Sequence, residues 1–237
     1  MKLCILENDD LDPAVAPLYG GYGAMVQRLF INAGAGDWQF DIFHTPSGNY
    51  PESFNGYDAV LLTGSKADAF SQEQWVLELR ERVLVLLKHK KKLLGICFGH
   101  QLIALCLGAR VGRAPQGWGV GRMAYDWYGV NPDSNTASPT MALLASHQDQ
   151  VFEVPPNARL LASNAHCPVA AYALDDHVFC VQGHPEFVED YSAFLLNKRR
   201  DRLGEALYTR GIESLASGHD GVAVARLMLA FVKGQPL

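Results

Sequence analysis

The stretch Leu93-Leu94-Gly95-Ile96-Cys97-Phe98-Gly99-His100-Gln101-Leu102 restricts this chain more than any other. An apolar run of strand type ends on a cysteine framed by Gly95 and Gly99, and a helical pattern begins at once. A strand that becomes a helix across one residue holds that residue in a strained backbone conformation. Small neighbours are required so that strand and helix can approach. The pattern is that of a nucleophile elbow with Cys in place of Ser. It turns the thiol toward a helix N-terminus, whose unpaired N–H groups and dipole favour the thiolate. Most cysteines are inert core residues. Cys106, in the apolar segment Ile103 to Leu107 and without a glycine frame, is read that way, as are Cys4 and Cys180 inside strand patterns.

An elbow of this kind needs a sheet behind it, and the rest of the chain supplies one. Short apolar runs at Lys2–Glu7, Trp38–His44, Asp58–Thr63 and Leu93–Cys97 alternate with amphipathic stretches at Gly23–Ala33, Gln72–His89 and His100–Leu107. This order predicts an α/β fold, a doubly wound, flavodoxin-like, mostly parallel open sheet with helices on both faces. Trp75, Leu79, Val83 and Leu86 form the stripe that packs the second helix on the sheet. From Val111 shorter segments punctuated by Gly117, Gly119, Gly121, Gly129 and Asn131-Pro132-Asp133 predict a small antiparallel element. Val169–Leu174 and Val178–Val181, separated by the turn-type pair Asp175-Asp176, read as a hairpin. No repeat or linker divides residues 1–237, so a single domain is expected, with a helical C-terminal segment from about Ala206.

Composition removes several function classes. With 20 Lys and Arg against 25 Asp and Glu, a net charge of -5, there is no electrostatic footprint for nucleic acid. The basic run Lys88 to Lys92 reads as a solvated helix C-terminus. Leu3-Cys4-Ile5-Leu6 is too short for a signal-peptide core, and Leu93 to Ala109 is interrupted by Gly99-His100-Gln101, so no membrane segment is expected. Five cysteines without a Cys-x-x-Cys pair encode neither a disulfide framework nor a zinc ribbon, which points to a reducing cytoplasm. His166-Cys167 lacks partners at zinc spacing, and no metal or cofactor is expected.

A thiol nucleophile needs a base and a group that orients the base. Gln182-Gly183-His184-Pro185-Glu186, at the end of the last strand, supplies both. The rigid Pro185 lets His184 and Glu186 project toward the open edge where Cys97 also falls. A His-x-Glu by itself is often only a surface pair.

The Gly-x-Cys-x-Gly-x-Gln elbow at Gly95 to Gln101, followed by His184-Pro185-Glu186, resembles the class I, or triad-type, glutamine amidotransferases over roughly residues 1 to 195. The resemblance implies a Cys97, His184, Glu186 triad that hydrolyses the side-chain amide of glutamine to glutamate and ammonia through a γ-glutamyl thioester. Thr63-Gly64-Ser65 is similar to the family's oxyanion loop, which implies paired N–H donors at Gly64 and Phe98. Ser146-His147-Gln148-Asp149-Gln150-Val151 resembles the Ser-His-x-Asp-x-Val element of the guanylate-synthase type. With Gln101 and Ser65 it implies a glutamine pocket that includes Ser146, Gln148 and Asp149.

Three functions remain open. The chain has no Gly-x-x-x-x-Gly-Lys-Ser/Thr phosphate loop and no second domain of sufficient length, so ammonia would pass to a separate synthetase subunit. The chain also resembles stand-alone γ-glutamyl peptidases, which cut γ-glutamyl bonds with the same triad and a larger leaving group. The third is a catalytically silent binding or regulatory subunit, against which the intact triad argues. Tyr19-Gly20-Gly21-Tyr22-Gly23 reads as a lid or a simple turn, and Glu7-Asn8-Asp9-Asp10 as a solvated loop.

Overall fold

The computed structural model describes residues 1–130 and 140–237. The turn expected at Asn131-Pro132-Asp133 lies outside the described residues. In chain order the elements are β1 (Lys2–Glu7), α1 (Ala16–Tyr19), α2 (Tyr22–Asn32), β2 (Gln39–His44), β3 (Ala59–Leu62), α3 (Gln74–Lys88), β4 (Leu93–Ile96) and α4 (Phe98–Cys106). There follow β5 (Val111–Arg113), β6 (Gly119–Trp127), β7 (Thr140–His147), β8 (Asp149–Val151), β9 (Arg159–Ser163), β10 (Ala171–Leu174) and β11 (Val178–Val181). The helices α5 (Glu189–Lys198), α6 (Arg200–Leu203), α7 (Glu205–Ser214) and α8 (Gly221–Val232) complete the chain.

Among the described residues nine strands form one mixed sheet in the order β2-β1-β3-β4-β11-β10-β9-β6-β7, and β5 pairs with β8 in a separate antiparallel ribbon. β2, β1, β3, β4 and β11 run parallel. β10, β9, β6 and β7 extend the sheet antiparallel. This is the flavodoxin-like, mostly parallel architecture that the alternation of runs predicts. The expected hairpin forms as β10–β11, with Ala171 opposite Val181 and Leu174 opposite Val178.

Strand alternation divides the core between the two faces. Leu3, Ile5, Leu61, Leu94, Ile96 and Phe179 pack with residues of α2 and α8. Cys4, Leu6, Leu62, Leu93, Val178 and Cys180 pack with residues of α3 and α4. The buried stripe of α3 is Val76, Leu79, Val83 and Leu86. Trp75, expected in that stripe, stands beside it with its ring 5.6 Å from that of Phe98. A third cluster, with Met25, Val120, Phe187, Tyr191 and Leu195, lies beneath α5 and α7.

Two loops differ from the sequence-based expectation, and a third takes the turn form, one of the two that were expected. Asn8 and Asp9 are buried rather than solvated, because their polar atoms are taken up locally. Asn8 bonds the backbone and hydroxyl of Thr63 at 2.9 Å, and Asp9 accepts the Lys66 backbone N–H at 2.7 Å. The Tyr19–Gly23 segment is the junction of α1 and α2, not a lid: Gly20 and Gly21 have φ 78 and 146, and Glu7 Oε1 accepts the Gly23 N–H at 2.8 Å. In the basic run Lys92 is tied down, donating to the carbonyls of Asp176 and Phe231 at 2.9 Å. No single helix among the described residues is long and apolar enough to cross a membrane.

Candidate active site

β3, β4 and β11 end side by side, so the residues that follow them share the carboxyl edge of the sheet. Cys97 follows β4 with φ 51 and ψ -101, the positive-φ strain an elbow requires, and its N–H donates to the Val181 carbonyl at 2.9 Å. The glycine frame is a packing necessity. A Cβ on Gly95 would stand 2.8 Å from the backbone of Gly99 and His100, and one on Gly99 would stand 2.4 Å from the Leu62 carbonyl oxygen. α4 is thereby drawn onto β3 and β4, and Cys97 remains at the helix N-terminus.

His184 follows β11. Its N–H donates to the Leu144 carbonyl at 2.8 Å, which fixes the loop against β7, and Gly183 makes the approach possible because a Cβ there would meet Leu143 at 2.6 Å. His184 Nδ1 lies 2.8 Å from Glu186 Oε1, and both side chains are buried. Phe187 lies flat on the other side of the imidazole, ring centroids 3.8 Å apart at 12°. Burial opposes protonation of His184, but the Glu186 carboxylate and Cys97 outweigh it and raise its pKa to about 10. Burial instead pushes the core thiols of Cys4 and Cys180 up to about 12.

Gly64 closes the other side. A Cβ there would come within 2.7 Å of His184 Cε1 and 3.6 Å of Cys97 Cβ. The N–H groups of Gly64 and Phe98 donate to no acceptor among the described residues. Cys97, His184 and Gly64 line one small cavity of about 30 Å³.

The expected pocket residues also come together. Ser65, Gln101, Ser146, Gln148 and Asp149 line a cleft of about 130 Å³ with Cys97. Gln101 is a brace within it, its Nε2 donating to the Asp149 carbonyl at 2.8 Å and to Gln182 Oε1 at 3.1 Å. Asp149 Oδ1 stands 2.9 Å from Arg113 Nε, a charge contact without hydrogen-bond alignment. Burial, then Asp68, raises the Asp149 carboxyl to about 7, against the pull of Arg113. His147 is a buried residue at the end of β7; burial, with His166 and His184 adding, lowers it to about 3.

Sequence reasoning missed Phe187, Arg113, Gln182 and the pair Arg199 and Arg202. Only Phe187 carried a local signal, as an aromatic directly after the His-Pro-Glu run. His166 and Cys167 cap a turn, both N–H groups donating to Asn164 Oδ1. Among the described residues no three His, Cys, Asp or Glu side chains cluster as a metal site would need.

The sequence profile of the family "Glutamine amidotransferase class-I" matches residues 37–197. The chain belongs to the class I glutamine amidotransferase family. Gamma-glutamyl peptidase 3 of Arabidopsis thaliana is 36% identical over 181 residues, 73% of this chain and 72% of that protein. A glutamine-hydrolyzing GMP synthase of Aeropyrum pernix is 38% identical over 128 residues, 54% of this chain and 24% of that protein. A glutamine amidotransferase from Thermotoga maritima superimposes with a TM-score of 0.76 at 20% identity, over 98% of each chain, which is a likeness of fold.

Proposed function

We propose that this chain hydrolyses γ-glutamyl amide bonds with Cys97 as nucleophile, His184 as proton carrier and Glu186 as the group that orients His184. The observation that carries the reading is the 2.8 Å contact between His184 Nδ1 and Glu186 Oε1 beside a cysteine held at φ 51 on a helix N-terminus. With a proton resting on His184, the Cys97 sulfur attacks the γ-carbonyl carbon, and the Gly64 and Phe98 N–H groups bind the oxyanion. Such a donor contributes about 2.7 to 4 kcal/mol to the transition state. His184 passes its proton to the leaving nitrogen as the C–N bond breaks, leaving a γ-glutamyl thioester. His184 then takes a proton from water, the hydroxyl adds to the thioester carbonyl, and glutamate departs as the sulfur is released. Ser65, Gln101, Ser146, Gln148 and Asp149 hold the glutamyl moiety.

The substrates are γ-glutamyl peptides, a reading supported by similarity to the Arabidopsis peptidase across nearly three quarters of both chains. Hydrolysis of free glutamine for a separate synthetase subunit is the second reading, supported by the identity to GMP synthase within 128 residues. Release of glutamate from glutamine and from γ-glutamyl dipeptides, with wild type and a folded Cys97→Ala variant, tests both. Turnover abolished by Cys97→Ala supports the mechanism. Dipeptides turned over faster than glutamine favour the peptidase, and the reverse order favours the synthetase-linked enzyme. Equal turnover by the variant overturns the role of Cys97.

A further inference from the structure

Hydrolysis leaves the acyl half of the substrate on Cys97 and sends the amine half past His184, which must reach the leaving nitrogen. The cavity that holds Cys97 and His184 is also lined by Tyr22, Lys66, Leu195 and Arg199. These same four residues line a much larger cleft of about 980 Å³. The amine half is therefore directed into space far beyond what ammonia needs.

The charges of that cleft are unequally satisfied. Lys66 pairs with Asp9, and Lys198 with Asp12. Just outside it, Arg200 pairs with Glu205 at 2.7 Å. Arg199 and Arg202 are different: their guanidinium carbons lie 5.2 and 5.6 Å from the ring centroid of Trp118, and both residues line the large cleft and the Cys97 cleft. Arg199 also donates to the Ser146 hydroxyl. No carboxylate among the described residues pairs with either. The carboxylates that line the large cleft are engaged elsewhere, Asp9 with Lys66, Asp12 with Lys198 and Asp10 beside His44 at 3.2 Å, so two like charges held together on one indole are left to form an anion site. Guanidinium forks match carboxylates. Arg113 and Asp149 already offer opposite charges to the glutamyl half in the Cys97 cleft. Both arginines lie outside residues 37–197, the segment that the family profile matches.

We propose that Arg199 and Arg202, mounted on Trp118, bind a carboxylate carried by the leaving half of the substrate, so that the chain selects γ-glutamyl amino acids and peptides with a free carboxylate on the amine side. The proposal rests on the γ-glutamyl hydrolase reading for its place in the reaction. The test compares γ-glutamyl-alanine with γ-glutamyl-alaninamide, which differ only in that carboxylate. kcat/KM is measured for wild type, Arg202→Gln and Arg202→Lys, with thermal melts to verify folding, and binding of both compounds to Cys97→Ala is measured by calorimetry. Wild type is expected to favour the free carboxylate at least tenfold, mainly through KM, and Cys97→Ala to bind it at least tenfold more tightly. The preference falls below threefold in Arg202→Gln and is partly kept in Arg202→Lys.

Equal turnover of the two compounds by wild type, or an equal loss on both in Arg202→Gln, overturns the carboxylate site and leaves the hydrolase reading standing. Selective binding to Cys97→Ala without hydrolysis by wild type overturns the hydrolase reading and leaves the site standing.

Discussion

The imidazole of His184 lies flat on the phenyl ring of Phe187, centroids 3.8 Å apart and planes within 12°. Protonated His184 thus places its charge against an aromatic face at a buried position, a contact of about 2 kcal/mol when desolvated. Phe187→Leu keeps an apolar neighbour but loses that face. The expected result is a His184 pKa about one unit lower by NMR titration and a kcat about tenfold lower. An unchanged titration would show that Phe187 only fills space.

Glu186 takes one proton-bearing nitrogen of His184 and is itself buried. Glu186→Gln keeps the volume but removes the charge that offsets the burial of His184. We expect kcat to fall on the order of ten-thousandfold, comparable to loss of the orienting carboxylate in other triads. A pre-steady-state burst of amine release would locate the loss in acylation or in deacylation. Activity within threefold of wild type would remove Glu186 from the mechanism.

Gly99 packs so closely on β3 that an added Cβ would stand 2.4 Å from the Leu62 carbonyl oxygen and 2.7 Å from Leu62 Cβ. Backbone cannot yield there without moving the elbow. Gly99→Ala is expected to destabilise the fold by about 3 kcal/mol, read from the urea midpoint. A shift below about 0.5 kcal/mol would mean that α4 and β3 can separate freely.

Stability at alkaline pH follows from His184. Its pKa in the fold is about 10 against an ordinary 6.5, so the native state holds the proton more tightly than the unfolded chain does. The stability it contributes is complete below pH 6.5 and is lost as pH rises toward 10. The full loss is on the order of 5 kcal/mol, of which about 3 kcal/mol falls between pH 7 and pH 9.5. Urea midpoints at pH 7 and pH 9.5 should fall more steeply for wild type than for His184→Asn. Parallel curves would contradict the shift.

Much of this architecture is legible from local pattern. β1 spans Lys2–Glu7, the expected residues, and the β10–β11 hairpin forms around Asp175-Asp176. Alternation with period two and the need for glycine on both sides of a strained cysteine act over a few residues, so one sequence displays them. His184 and Glu186 were legible for the same reason, being two positions apart at a strand end.

The contacts that were missed join residues distant in sequence. Asn8 reads as loop and is buried because Thr63, just past the end of β3, bonds both its backbone and its side chain. Arg113 carries no local signal in the sequence and meets Asp149 only because β5 and β8 pair with those two residues in register. Trp75 sits within the helical stripe by spacing, yet the structure turns Val76 inward in its place.

By itself, then, the sequence determined the alternation of β1 to β4 with α2 to α4, the elbow at Cys97 and the His-Pro-Glu run at the end of β11. The tertiary structure alone decided what surrounds them: Phe187 beneath His184, Gly64 within 2.7 Å of its ring, and Arg199 and Arg202 brought to Trp118 from the far end of the chain. The physical reason is range, since backbone strain and strand period are properties of neighbouring residues, whereas charge pairing and ring stacking depend on which distant side chains the packed sheet and helices bring within contact distance.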